Sequence, residues 1–200
     1  QLVYYLAEAG ELSLRNAFID ATKFEANANR YSFVWKKSTQ KNEAKMQAKM
    51  RVELPKIAAE FGLRFRVGEK IRAKDLKKLR KRLYVLKEDT KFVKGKGKRK
   101  TPLQRAVETV EGYLARQRRY DGHNHIFGDR NSFSKTDKDA TFMRLKEDHM
   151  RNGQLKPAYN VTIAVDAEYI VAAMISQERS DMATFIPIME KLLPLGYTEP

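Results

Sequence analysis

The chain contains no cysteine, which removes disulfide scaffolds and thiolate zinc sites and fits a reducing compartment. Long apolar runs are missing as well. The opening QLVYYLAEAGELSLRN has no basic leader, and Glu8 and Glu11 interrupt its short apolar stretch, so neither secretion nor a membrane span is expected. The expectation is a soluble cytoplasmic protein. No fixed-period repeat is present, and the glycine-lysine tract at 91–100 lacks the Gly-x-x-x-x-Gly-Lys-Ser/Thr spacing of a nucleotide phosphate loop. Its glycines and self-repelling charges predict a mobile loop.

What the chain does have is positive charge, concentrated in one place. Residues 36–100 hold 24 Lys and Arg against 7 Asp and Glu, whereas the remainder holds 16 against 18. A contiguous segment of this kind binds phosphate backbones through counterion release without reading sequence. Lys36, Lys37, Lys77, Lys78, Lys81 and Arg82 are the candidate nucleic-acid contacts. A solvated helical face, or an anionic membrane surface, is the alternative reading of such a run.

Periodicity divides the chain. A short helix is expected over 2–9, then a strand over 16–24 that contains Asp20. Met46, Met50, Leu54, Ile57 and Phe61 recur at helical spacing within 33–61, and Pro55 should kink or split that helix. Leu76, Leu79, Leu83 and Leu86 form the apolar stripe of a second helix over 73–87. Thr101, Pro102 and Gln104 read as the cap of a third, running to about Tyr120, with an irregular polar stretch to follow. Alternation from Tyr159 to Asp166 and the apolar run 169–175 predict a hairpin turning at 166–168, and Ser180 and Asp181 cap a last helix. One strand, a basic helical block, then a hairpin and a helix make sense as an α/β (α+β) mixed sheet with a helical insertion between its first two strands. The division is 1–32 for the start of the core, 33–135 for the basic insertion and 136–200 for the core continued.

Three blocks, FIDATKFEANANRYSFVWKK at 18–37, TDKDATFMRLKEDHMRNGQLKPAYNVTIAVDAEYIV at 136–171 and the following QERSDMATFIPIME, resemble bacterial insertion-sequence transposases of the DDE class, whose catalytic domain is ribonuclease H-like. The resemblance spans nearly the whole chain. It implies a partial ribonuclease H-like sheet, DNA transposition by two-metal phosphoryl transfer with Mg²⁺ or Mn²⁺, transposon-end DNA as partner, a nucleoid-associated bacterial location, and a full-length protein compatible with a homodimer. It assigns the first catalytic, metal-binding carboxylate to Asp20. Ala21 stands where relatives often have glycine. The remaining carboxylates are expected beyond Pro200, so residues 1–200 alone are expected to be inactive.

Other features have plainer readings. Asp166 is a turn residue before it is a metal ligand. Asp137 and Asp139 suggest caps for a following helix. His123 and His125 read as loop histidines, since metal-ligand spacing is lacking. Tyr31, Phe33 and Trp35 either stack on an unpaired base or pack internally. The functional alternatives are a non-catalytic basic nucleic-acid-binding protein and a two-aspartate nuclease built from Asp20 and Asp166.

Overall fold

The computed structural model describes residues 1–87, 92–93, 95, 99–145 and 153–197. The chain divides into a sheet unit, Gln1–Trp35 with Asp129–Pro200, and a helical unit, Lys36–Gly128. The class is α+β. Every ladder among the described residues is antiparallel, where a mixed sheet was expected. No helix among those residues is long and apolar enough to cross a membrane.

In the sheet unit, β1 (Phe18–Glu25) lies antiparallel to β5 (Leu155–Asp166) along its whole length, with Asp20 opposite Ile163. On the other side of β5 run β6 (Tyr169–Ser176) and, beside Leu155 to Ala158, β4 (Thr141–Arg144). Alternation then sorts the side chains onto two faces. Ala21, Thr162, Ala164 and Val171 are buried on one face, which α1 (Leu2–Glu8) and α5 (Met182–Leu192) cover with a core that includes Leu12, Ile188, Leu192 and Tyr197. The opposite face carries Phe18 and Phe24 from β1, which are exposed, together with Ile170 and Ile175 from β6. The hairpin turns through Ala167 and Glu168, both at positive φ, 45° and 74°, matching the hand of a two-residue turn whose preferred occupants are Asn and Gly.

Two short strands, β2 (Phe33–Trp35) and β3 (Ser132–Ser134), pair as a second sheet at the points where the chain leaves and re-enters this unit. Residues 33–35 are therefore strand where a helix start was expected: Val34 is buried and its neighbours are held by the ladder. The stretch after Asp129 is likewise ordered by β3. The 136–140 phrase leads directly into the strand β4, where a helix was expected. Asp137 Oδ1 accepts from the amides of Asp139 and Ala140 at 3.1 and 3.2 Å, so it closes a turn into β4.

The helical unit consists of α2 (Lys36–Glu60), α3 (Ala73–Val85) and α4 (Pro102–Phe127) around one core. Met50 and Leu54 of α2, Leu76 and Leu83 of α3 and Val110 of α4 are wholly buried, each worth about 2 kcal/mol of transfer free energy. Leu76, Leu79 and Leu83 of the expected stripe are core, whereas Leu86 caps the end of α3 and is exposed. Pro55 does not split α2. It removes one backbone donor, and the burial of Leu54 and Ala58 on either side keeps the helix continuous. Thr101 Oγ1 accepts from the Gln104 amide at 3.2 Å, as a cap should. The Gln104 side chain turns instead to Val93, donating to its carbonyl at 2.7 Å and accepting from its amide at 3.0 Å. That fixes part of the tract expected to be mobile; residues 91, 94 and 96–98 lie outside the described residues. Helix α4 runs past Gly122 because buried Phe127 and Asn124 hold its last turns, and Gly128 at φ 49° ends it.

Candidate nucleic-acid interface and the Asp20 strand

Asp20 projects from the third position of β1 on the exposed sheet face. Its Oδ1 accepts from the Ala21 amide at 2.8 Å; Ile163 of β5 lies opposite it, and Ala173 of β6 comes next in the same row. Asp20 is exposed, so its apolar sequence neighbours do not by themselves demand an ion. Among the described residues no three His, Asp or Glu side chains gather to hold a metal. One strand carboxylate leaves most of a Mg²⁺ shell as water, so these residues by themselves do not fit a two-metal centre.

Asp166 is more than a turn residue. It is 5% exposed at the end of β5, where its Oδ2 accepts from the Tyr197 hydroxyl at 2.8 Å and from the Leu14 amide at 3.2 Å. Burial, then the bond to Asp166, pushes the Tyr197 hydroxyl well above its ordinary value. Because Asp20 pairs with Ile163, and Asp166 lies three positions further along β5, the two aspartates project from opposite faces. They cannot share two ions about 4 Å apart. The two-aspartate nuclease has no geometric basis.

The basic residues divide between two helices. Lys77, Lys78, Lys81 and Arg82 are exposed on α3, filling the arc opposite buried Leu76, Leu79 and Leu83. Lys36 and Lys37 open α2 instead. Lys36 is half-buried as a residue and its ammonium donates to the Gly128 carbonyl at 2.7 Å, satisfying the end of α4, while Lys37 is exposed. The helical unit as a whole holds 28 Lys and Arg against 10 Asp and Glu, so the surplus charge belongs to it.

Phe33 and Trp35 pack with Phe142, at centroid distances of 5.9 and 6.0 Å, which favours an internal role for the half-buried Trp35; Phe33 and Tyr31 stay exposed. His123 and His125 stand on α4, not in a loop. Two residues apart on a helix, they point to different sides. Tyr159 donates to Asp137 Oδ2 at 2.8 Å, and burial followed by this bond raises its hydroxyl to about 12.

One polar centre escaped the sequence reading. Glu43, 7% exposed, accepts from Gln117 and Asn124 of α4, both at 2.9 Å, and pairs with Lys70 at 2.6 Å. Burial drives its carboxyl upward, but these three donors together outweigh it and hold the group below its ordinary 4.5. The signal lay in the spacing: Glu43 falls on the stripe continued by Met46, Met50 and Leu54, where a charge must find partners. Comparison with known proteins yields no relative, since no family model, curated protein or solved structure matches the chain.

Proposed function

We propose that the chain is the first part of the catalytic region of a DDE-class transposase with a ribonuclease H-like core, in which the helical unit grips DNA and Asp20 serves as the first metal-binding carboxylate. The observation that carries the reading is a separation of labour. The resembling blocks fall almost wholly within the sheet unit, with Asp20 on its strand, and the excess positive charge falls within the helical unit. On this reading Asp20 is one ligand to Mg²⁺ or Mn²⁺, and the others come from residues outside 1–200. Transposon-end DNA is the partner, a homodimer of the full-length protein is compatible, and the bacterial nucleoid is the setting.

A second reading, a basic nucleic-acid-binding protein without chemistry, is favoured by the apolar neighbours of Asp20 in its sheet row. The experiment that separates the two measures DNA binding and Mg²⁺-dependent strand cleavage in a chain lengthened beyond residue 200. Cleavage lost in Asp20→Asn with binding retained supports the transposase. Binding without cleavage in every lengthened form supports the second reading, and absence of binding at low salt removes both.

A further inference from the structure

The helical unit contains a cleft of about 290 Å³ that none of the resembling blocks includes, lined by Arg64, Phe65 and Arg66 on one side and by Asp75, Lys78, Leu79 and Arg82 of α3 on the other. Its construction follows from the sequence. The segment after α2 alternates Arg, Phe, Arg, and Phe65 packs against the helical core, so Arg64 and Arg66, both exposed, are turned away from it. Arg82 Nη1 donates to the Arg64 carbonyl at 3.1 Å, which fastens this segment along α3. Lys78 and Arg82 are one helical turn apart, on one face. The lone acid, Asp75, accepts from the Arg72 amide at 3.0 Å as part of the start of α3. Among the described residues none of Arg64, Arg66, Lys78 and Arg82 forms an ion pair.

Four cations facing one occupied carboxylate across a concave surface make a seat for an anion. Guanidinium groups favour phosphate because their planar fork donates two parallel hydrogen bonds to its oxygens. We propose that this cleft is the principal DNA-backbone contact of the helical unit, with Arg64 and Arg66 clasping phosphates on one side while Lys78 and Arg82 hold them from α3. The proposal rests on the reading of this unit as a DNA binder and adds where the grip is centred: on residues 64–66, beyond the exposed arc of α3. It separates a built site from diffuse attraction spread over all the surface lysines.

The test is a titration of the 200-residue chain against a fluorescent duplex of unrelated sequence, read by anisotropy at several salt concentrations. The double variant Arg64→Ala with Arg66→Ala is compared with Lys41→Ala with Lys45→Ala, which removes the same charge from exposed positions on α2, and with Arg64→Lys with Arg66→Lys. Circular dichroism checks that each is folded. The expected result is a tenfold or greater loss in the alanine cleft variant, with the salt slope reduced by about 2, since each neutralised phosphate contributes about 0.9. The α2 control should lose about threefold or less, and the lysine variant should recover part of the affinity. Equal losses in the cleft and α2 variants overturn the cleft and leave a diffuse DNA binder. If the unaltered chain does not bind DNA, the functional reading falls with it.

Discussion

Leu14 and Asp166, 152 positions apart, are joined by a 3.2 Å hydrogen bond from the Leu14 amide to Oδ2, and Leu14 is held at φ 56°, a conformation that a leucine rarely adopts. The same oxygen accepts from Tyr197, beside Gly196 at φ 104°. One carboxylate thus fastens the segment before β1 and the segment after α5 to the end of β5. Asp166→Ala should destabilise the sheet unit by about 2 kcal/mol through two stranded donors, and Tyr197→Phe by about 1 kcal/mol. Thermal melts followed by circular dichroism read both. An Asp166→Ala protein as stable as the parent would remove this role.

The 166–169 hairpin offers the opposite experiment. Ala167 and Glu168 occupy positive φ where Asn and Gly are at home. Ala167→Asn with Glu168→Gly should therefore stabilise the protein by about 0.5–1 kcal/mol, raising its melting temperature. A fall would show that the native pair makes compensating contacts.

Acid should loosen the helical unit through Glu43. Its carboxyl titrates below the ordinary 4.5 in the folded protein, so its stabilising contribution is present above that value and is lost as the pH falls through the folded value. Glu43→Gln should lower stability at neutral pH by about 1–2 kcal/mol and flatten the loss of stability below pH 4.5. Identical acid-denaturation curves for parent and variant would assign that loss to other carboxylates.

Reversing the charge of Lys77, Lys78, Lys81 and Arg82 to Glu should weaken binding to every DNA sequence alike, with a shallower salt dependence. These side chains share the exposed arc of α3, clear of its leucines; because Arg82 also holds the Arg64 carbonyl, circular dichroism checks that the variant is folded. Unchanged affinity would identify the arc as a solvated face.

The 200-residue chain should show no DNA cleavage or joining with Mg²⁺ or Mn²⁺, because two-metal chemistry needs several converging carboxylates and the described residues gather no such set. Cleavage by this chain that disappears in Asp166→Asn would reinstate the two-aspartate nuclease, against the opposite-face geometry.

The sequence exposed what is periodic and hid what depends on distant partners. The stripe of Leu76, Leu79 and Leu83 and the alternation of β5 declare their elements because burial repeats with the backbone. The strand at Phe33–Trp35 was hidden because its partner, Ser132–Ser134, lies about a hundred residues away and three-residue strands have almost no period. The last turns of α4 were hidden by Gly122, whose intrinsic cost is overridden by Asn124 reaching Glu43 and by Phe127 in the interior. Asp20 was legible as a strand residue, whereas the double duty of Asp166 needs Leu14 and Tyr197 folded around it.

The β2–β3 clasp also bears on how quickly the molecule can find its fold. Phe18 and Val165, partners in the central ladder, are separated by 147 residues, and pairing at such range is slow because loop closure precedes its reward. Of the intervening chain, residues 36–128 close into a unit of largely local helical contacts, with the strands that flank it zipped together. Collapse of that unit first leaves Phe18 and Val165 joined by a tether of about fifty residues, a search over a far shorter effective contour.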